Sequence, residues 1–135
     1  MTESDDTQAT LYAAIGGEEA VRRLVARFYD LMDTLPAAKA CRAIHPPNLE
    51  GSAQKLFEYL SGWLGGPQLY VAKYGHPMLR RRHFVASIGP AERDGWLLCF
   101  EAALLETVAD PTLHDPILGP IRRLAAHMQN SAASA

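Results

Sequence analysis

The sequence predicts an all-α fold, and three observations support this prediction. Apolar residues recur at the three- and four-residue spacing of a core-facing helix, as at Val21, Leu24 and Phe28. Glycine and proline separate the segments that carry this pattern. No segment sustains the alternation of apolar and polar residues that a half-buried strand would show.

Three helices are predicted in the first half of the chain. The first covers Leu11 to Ile15 and ends at the pair Gly16-Gly17. The second begins at Glu18 and Glu19, because carboxylates there stabilise the positive end of a helix dipole. The third covers about residues 49 to 64 and ends at Gly65-Gly66-Pro67, a strong stop signal.

Three more helices are predicted in the second half. Pro77 suits the first position of a short helix over about residues 77–85. Pro90 likewise begins a long helix that reaches about residue 109. The pair Asp115-Pro116 begins a last helix that ends near residue 129.

An irregular region is predicted between Pro36 and the pair Pro46-Pro47. It contains Cys41 and His45. The other cysteine, Cys99, lies far along the chain, and no CxxC motif is present. Two cysteines at this spacing favour reduced thiols over a disulfide framework.

Length and composition predict a single cytoplasmic domain. A chain of 135 residues with 48% hydrophobic residues can bury one substantial core. We expect the domain to cover residues 11–130, between a disordered acidic tail at 1–10 and a short disordered tail at 131–135. The net charge of −2 argues against nucleic-acid binding. The lack of a signal peptide and of about 18 consecutive apolar residues argues against a membrane location.

His83 is the candidate site residue of the short helix at 77–85. It follows Leu79 by four residues and therefore shares its inward face, while Arg80 and Arg82 flank it. Two interpretations are open. His83 could be an ordinary core histidine beside a solvated arginine run. Alternatively, it could be an axial haem ligand, with arginine pairing with a haem propionate. His76, between Gly75 and Pro77, suits a turn.

Four motifs together resemble the second group of truncated haemoglobins. They are "FYDLM", "YLSGWLGGPQLY", "YGHPMLRRRHF" and "ERDGWLLCF", in this order and at these spacings. The resemblance covers about residues 11–130. It implies a shortened, 2-on-2 globin fold, in which two helix pairs pack across a pocket for haem b.

The resemblance also implies roles for single residues. His83 matches the proximal iron ligand, Arg82 matches a propionate partner, and Arg80 is a second candidate contact. On the distal side, Tyr29 and Trp96 match residues that hydrogen-bond the ligand. Further pocket or haem contacts that we expect from this alignment are Ser52 as distal gate, Leu56, Phe28, Phe57, Tyr59, Leu60, Tyr74, Met78 and Phe84.

The sequence around the distal residues leaves alternatives open. Tyr29 and Trp96 stand four residues from the core positions Val25 and Phe100, so both project inward, either as ligand donors or as aromatic core anchors. His45 takes a position where this group usually has Tyr or Phe. It could donate to a bound ligand or approach the iron itself, and its titration could make affinity pH-sensitive.

The function expected from the resemblance is small-ligand chemistry on haem. A five-coordinate ferrous iron would bind O₂, NO or CO, and an unidentified reductase would maintain it. Distal hydrogen bonds would slow O₂ release, which favours NO dioxygenase or peroxidase-like activity over bulk transport. The alternatives are a sulfide-binding protein, a bis-histidine electron-transfer protein, or, in another class, a cofactor-free helical interaction module. Monomer and homodimer are both compatible with the sequence.

Overall fold

The computed structural model describes residues 10–75 and 88–129, which are helical almost throughout and include no strand. The all-α prediction is therefore confirmed. The predicted helix at 77–85 lies outside the described residues. The helices are α1 (Leu11–Ile15), α2 (Gly17–Thr34), α3 (Lys39–Ala43), α4 (Glu50–Trp63), α5 (Leu69–Tyr74), α6 (Pro90–Thr107) and α7 (His114–Met128), with 3₁₀ turns at Pro36–Ala38 and Pro111–Leu113.

The core lies between α2 and α6, which pack against each other more extensively than any other pair of described elements. α4 covers α2, and α7 covers α6. Phe28 and Phe100 are almost completely buried where the central pair meets. Burying such a side chain stabilises the fold by roughly 1.5–3 kcal/mol. The inward residues of α2 and α6 are Val21, Leu24, Val25, Phe28, Met32, Cys99, Phe100, Ala103 and Leu104.

The predicted irregular region before Pro46 is in fact mostly helical. A 3₁₀ turn begins at Pro36, and α3 follows it directly. α3 lies against α6 at Gly95, where an added Cβ would stand 3.2 Å from both the Ala38 Cα and the Cys41 Cβ. The prediction was wrong for residues 36–43, because a five-residue helix is too short to show a helical period.

α5 is a second short helix that periodicity did not predict. It follows the stop signal at Gly65-Gly66-Pro67 after a single residue, Gln68. Tyr70 is its buried residue, 7% exposed, and packs edge-on against Tyr59 of α4. This contact thus fixes the position of α5, the last helix before residues 76–87.

α6 begins where the sequence predicts, at Pro90. Glu92, three residues after the N-cap Gly89, turns back so that its Oε1 accepts the Gly89 N–H at 2.7 Å. This is the backbone-capping half of a capping box, and Glu92 is only 2% exposed. Among the described residues, no helix is both long enough and apolar enough to span a bilayer.

Candidate functional site

Aromatic packing between α2 and α6 brings the two predicted distal donors together. The Phe28 ring lies edge-on to Tyr29, with centroids 4.8 Å apart, and edge-on to Trp96 at 5.1 Å. Trp96 is also stacked on Phe100, one turn along α6, at 5.4 Å and with an interplanar angle of 9°. Because Phe28 and Phe100 are fully buried, they hold both rings in fixed orientations.

Tyr29 and Trp96 each carry a donor that the described protein leaves available. Burial, and to a smaller degree the neighbouring Cys41 sulfur, raises the pKa of Tyr29, so its hydroxyl keeps its proton. Within residues 10–75 and 88–129, neither the hydroxyl nor the indole N–H has a hydrogen-bond partner. In those residues, Glu58 Oε1 is the only fully buried side-chain nitrogen or oxygen without a partner. The Tyr29 hydroxyl and the Trp96 N–H, which also have no partner, are therefore not fully buried and border open space. They suit an acceptor that enters from outside.

His45 stands beside Tyr29, on the turn that follows α3. The centroids of the two rings are 6.1 Å apart in a T-shaped arrangement. The His45 Nδ1 lies 2.8 Å from the carbonyl oxygen of Cys41. The structure therefore brings together three of the predicted distal residues, Tyr29, Trp96 and His45, from three different elements.

Arg42 fixes the turn that carries His45. Its Nε donates to Asp33 on α2 at 2.9 Å, and its two terminal nitrogens donate to the carbonyl oxygens of Pro46 and Pro47, each at 2.9 Å. We call these three bonds the Arg42 clamp. Because it joins α2 to both sides of the turn, the clamp restricts the positions that His45 can take.

A small cavity of about 40 Å³ separates this turn from α6 and α7. Glu92 lines this cavity. The sequence did not predict it as a site residue, because its only distinguishing feature is its position three residues after the helix cap. Burial raises the pKa of the Cys41 thiol to about 12, so the thiol is neutral near pH 7. The lining includes Cys41, His45, Glu92, Arg93, Trp96 and Met128.

The α4 residues of the predicted site divide into two groups. Ser52, Leu56 and Tyr59 are half-buried and follow one another at helical spacing on one face. Phe57 and Leu60 belong to the core instead, and the Arg22 guanidinium lies 3.9 Å from the centre of the Phe57 ring. Their predicted contacts with a cofactor stay predictions.

Tyr74 is described by the structure, whereas the predicted proximal residues are not. Tyr74 ends α5, with its ring centroid 4.8 Å from that of Tyr70. His76, Met78, Arg80, Arg82, His83 and Phe84 lie outside the described residues. Their roles stay predictions from the sequence.

Comparisons with known proteins identify the family. The sequence model of the bacterial-like globins matches residues 10–130. The group 2 truncated hemoglobin YjbI of Bacillus subtilis is 36% identical over 119 residues, 88% of this chain and 87% of that protein. The group II 2-on-2 hemoglobin of Agrobacterium tumefaciens superimposes with a TM-score of 0.89 at 63% identity, over 90% of this chain and 95% of that one.

Another similar solved structure is that of the truncated oxygen-avid haemoglobin of B. subtilis. Its structure superimposes with a TM-score of 0.81 at 35% identity, over 90% of this chain and 99% of that one. The 2-on-2 globin fold expected from the sequence is thus confirmed. The chain belongs to the bacterial-like globins and, within them, to the group II truncated haemoglobins, a family of haem proteins that bind small gaseous ligands.

Proposed function

We propose that this globin carries haem b on His83 and holds dioxygen tightly through Tyr29 and Trp96. The observation that carries the proposal is the pair of donors, O–H and N–H, which aromatic packing fixes beside open space. These residues fit the distal side of a haem, where the ligand supplies the missing acceptor. When bound, the haem would supply the ferrous iron that takes the gas.

The two donors are expected to make dioxygen release slow. A hydrogen bond to a ligand that gains negative charge contributes about 1.5–3 kcal/mol. Two such bonds would slow release by about two to four powers of ten, since about 1.4 kcal/mol corresponds to a factor of ten. The description of the B. subtilis relative as oxygen-avid supports this expectation.

Tight binding favours a redox role over bulk transport, because a carrier has to unload its cargo. We therefore propose that the protein works in the cytoplasm on NO or on peroxide, as an NO dioxygenase or with peroxidase-like activity. A reductase would return the iron to the ferrous state.

The remaining site residues have supporting roles in this proposal. Arg82, with Arg80 as a second contact, would pair with the haem propionates. Ser52 is small and half-buried, so the distal gate would admit small ligands and water. The proposed contacts with the haem or the pocket are Leu56, Phe28, Phe57, Tyr59, Leu60, Tyr74, Met78 and Phe84.

Absorption spectroscopy of the purified, haem-supplemented protein tests the proposal. We expect a Soret band with a five-coordinate ferrous spectrum, which His83→Gly should abolish or shift. The matched control is His114→Gln, because His114 lies on α7 and bonds the Val108 carbonyl at 2.7 Å. A protein that stays colourless would instead support the cofactor-free interaction module.

The same spectra distinguish the proposed five-coordinate globin from a bis-histidine protein. A low-spin, six-coordinate spectrum that His45→Ala removes would support the bis-histidine electron-transfer protein. His45 is 6.1 Å from Tyr29 by ring centroid and therefore belongs to the distal residues that this test concerns.

A further inference from the structure

Three tyrosine rings lie in series where α4 meets α5. The Tyr59 ring of α4 packs edge-on against Tyr70 of α5, with centroids 5.9 Å apart. One turn further along α5, the Tyr74 ring lies 4.8 Å from that of Tyr70 by centroid. Among the described residues, these two contacts are the only ones that join one tyrosine ring to another. We call the three residues the tyrosine row.

The row contains only side chains that can be oxidised by one electron. In the aromatic group between α2 and α6, by contrast, Phe28 stands between Tyr29 and Trp96. A phenyl ring has no hydroxyl and is far harder to oxidise than a phenol. An electron can therefore pass from ring to ring along the tyrosine row, whereas Phe28 interrupts the other group.

The two ends of the row have different surroundings. Tyr59 is half-buried and lies on the face of α4 that carries Ser52 and Leu56, so it is the end toward the predicted haem. Tyr70, in the middle, is 7% exposed. Tyr74 is half-buried and ends α5, which places this predicted pocket contact at the rim of the pocket. The row thus leads from the predicted pocket toward solvent.

The outer end of the row is positively charged. The Lys55 and Lys73 ammonium nitrogens each lie 5.6 Å from the centre of the Tyr74 ring. The Lys73 side chain is 56% exposed, and Lys55 is exposed as well. Two exposed cations beside one ring attract an anion to it. They also oppose a positive charge on the ring, so an electron can leave Tyr74 only if its hydroxyl proton leaves too.

Glu58 provides a place for that proton. Its Oε2 accepts from Gln54 and Lys73, each at 3.1 Å, while Oε1 is fully buried and has no partner among the described residues. Burial acts to raise the pKa of Glu58, but hydrogen bonds from Gln54 and Lys73 and a weaker interaction with Tyr74 lower it. Tyr74 is therefore a neighbour of this carboxylate, although its hydroxyl completes no hydrogen bond to Oε1. An oxidised phenol is a strong acid, so even a carboxylate with a lowered pKa takes its proton.

We propose that the tyrosine row carries single electrons from Tyr74, between Lys55 and Lys73, to Tyr59 at the haem, so that the protein oxidises a small anionic reductant of the ascorbate class. The inference rests on the proposed function, because the oxidant is a haem that has reacted with hydrogen peroxide. It adds a second substrate to the peroxidase-like activity and assigns that substrate a site at the rim of the pocket.

Each turnover moves one electron and one proton. Tyr74 loses an electron to the row and its hydroxyl proton to Glu58, and it regains both when ascorbate reduces it. The hydroxyls of Tyr59 and Tyr70 have no partner in residues 10–75 and 88–129 and are not fully buried, so water takes and returns their protons. Overall, two ascorbate anions and one hydrogen peroxide give two ascorbyl radical anions and two water molecules.

Electron paramagnetic resonance of samples frozen after addition of peroxide tests the route. We expect a tyrosyl radical whose main component is lost in Tyr74→Phe. The same component should be lost in Tyr70→Phe, although that variant keeps Tyr74, because its link to Tyr59 is broken. Both variants keep the ring and its packing. Glu58→Gln, which cannot take the proton, should weaken the component. Its persistence in Tyr70→Phe would overturn the route.

The matched control is Tyr12→Phe. Tyr12 lies on α1 and has no ring contact with another aromatic side chain among the described residues. Its removal should leave the radical signal as in the wild-type protein. A signal that falls equally in Tyr12→Phe and Tyr70→Phe would contradict a specific row.

Reductants of different charge test the outer end. Ascorbate is an anion at neutral pH and hydroquinone is uncharged. We expect Lys55→Gln to lower the rate constant for ascorbate by up to about tenfold at low ionic strength, and to leave that for hydroquinone unchanged. Lys39→Gln is the control, since Lys39 lies on α3 and is exposed. Tyr74→Phe should lower the rate constants for both reductants, and wild-type values in this variant would overturn the site.

The Soret band distinguishes failure of this inference from failure of the proposed function. It is recorded before and after peroxide is added. A wild-type protein without the band, or with a band that peroxide leaves unchanged, would contradict the proposed function. A band that changes while no tyrosyl radical forms would overturn the tyrosine row alone.

Discussion

At the scale of single residues, the distal chemistry depends on the orientation of one indole ring. Trp96 is held from one side by stacking on Phe100 and from another by the edge of Phe28. An indole N–H can only donate. A ring fixed in this way loses little side-chain entropy when a ligand accepts its bond, and so most of the bond energy remains for holding the ligand.

We expect Trp96→Phe to speed dioxygen release by about ten- to a hundredfold, because one bond of about 1.5–3 kcal/mol is lost. Stopped-flow displacement of dioxygen by CO measures the rate. Trp63→Phe is the matched control, since Trp63 is the other tryptophan, ends α4, and has no ring contact with Phe28 or Phe100 among the described residues. An off-rate unchanged in Trp96→Phe would remove the indole from the list of donors.

Cys41 carries a second prediction at this scale. Burial raises the pKa of its thiol from 9.0 to about 12, so between these values the folded chain keeps a proton that the unfolded chain has lost. Stability should therefore fall as pH rises through this window, by up to about 1.4 kcal/mol per pH unit for this thiol.

Cys41→Ala should flatten that alkaline loss. Urea unfolding at pH 7 and pH 10 measures it, with the difference between the two free energies of unfolding compared between variant and wild type. Part of the loss should remain, because burial also raises the pKa of Tyr29 and of Cys99. An identical pH dependence in the two proteins would contradict the assignment to Cys41.

At the scale of elements, short segments position the site and long helices support it. The turn with His45 is held to α2 by the Arg42–Asp33 ion pair and to itself by the two carbonyl bonds. We expect Arg42→Met to loosen the turn, so that the His45 amide exchanges with solvent faster. Loss of the clamp should lower stability by about 1–2 kcal/mol.

Hydrogen exchange and urea unfolding read these two effects. Arg122→Met is the control, since among the described residues Arg122 forms only an exposed ion pair, with Glu101 at 3.6 Å. If the His45 amide exchanged equally in both variants, the clamp would have no positioning role.

The α4–α5 junction contains a buried carboxylate. Glu58 is 5% exposed, and its Oε2 accepts from Gln54 and from Lys73, each at 3.1 Å, while Oε1 has no partner among the described residues. Burial acts to raise the pKa of Glu58, but these hydrogen bonds outweigh it and the pKa is lowered. The stabilisation they give is present above the unfolded pKa and is lost as pH falls through the folded pKa.

Lys73→Met should destabilise the protein at pH 7, because the Glu58 carboxylate, which is almost fully buried, loses a charged partner. Glu58→Gln/Lys73→Met should recover much of that loss, since the amide needs no counter-charge. Urea unfolding of Glu58→Gln, Lys73→Met and the double variant measures the three changes in the free energy of unfolding. Equal losses in Lys73→Met and the double variant would argue against a specific pair.

At the scale of the whole molecule, the sequence predicted what depends on long periodic patterns. α2, α4, α6 and α7 each have at least 14 residues, which is long enough for the spacing of their apolar residues to indicate a helix. α3 and α5 have five and six residues, and tertiary contacts with α6 and α4 place them. Short helices of this kind leave no such pattern in a sequence.

The candidate site divides in the same way. Tyr29 and Trp96 could be predicted as inward residues because they sit in register with Val25 and Phe100 on long helices. The contact between His45 Nδ1 and the Cys41 carbonyl could not, because it is made in a turn with no sequence signature. The burial of Glu92 in a cavity could not either, since α3 and α7 supply the other walls.

A prediction for the whole domain concerns its cofactor. A group that binds only the folded state stabilises it by about 2.7 kcal/mol at a hundredfold excess over its Kd. We expect removal of haem to lower the melting temperature, and His83→Gly to reduce the gap between the holo and apo forms. Calorimetry of the four samples measures this. An equal gap in both proteins would argue that His83 contributes little to holding the haem.

Gly95 helps to maintain the dimensions of the pocket. This residue lets the segment before His45 pack closely on α6, because a Cβ at Gly95 would stand 3.2 Å from the Ala38 Cα, and the next residue on the same helix is Trp96. His45 and Trp96 are therefore both positioned by the same turn of α6. If α6 slides or tilts as the protein warms or takes up a ligand, His45 and Trp96 move with it. The distance between these two side chains then stays the same, because both are attached to α6.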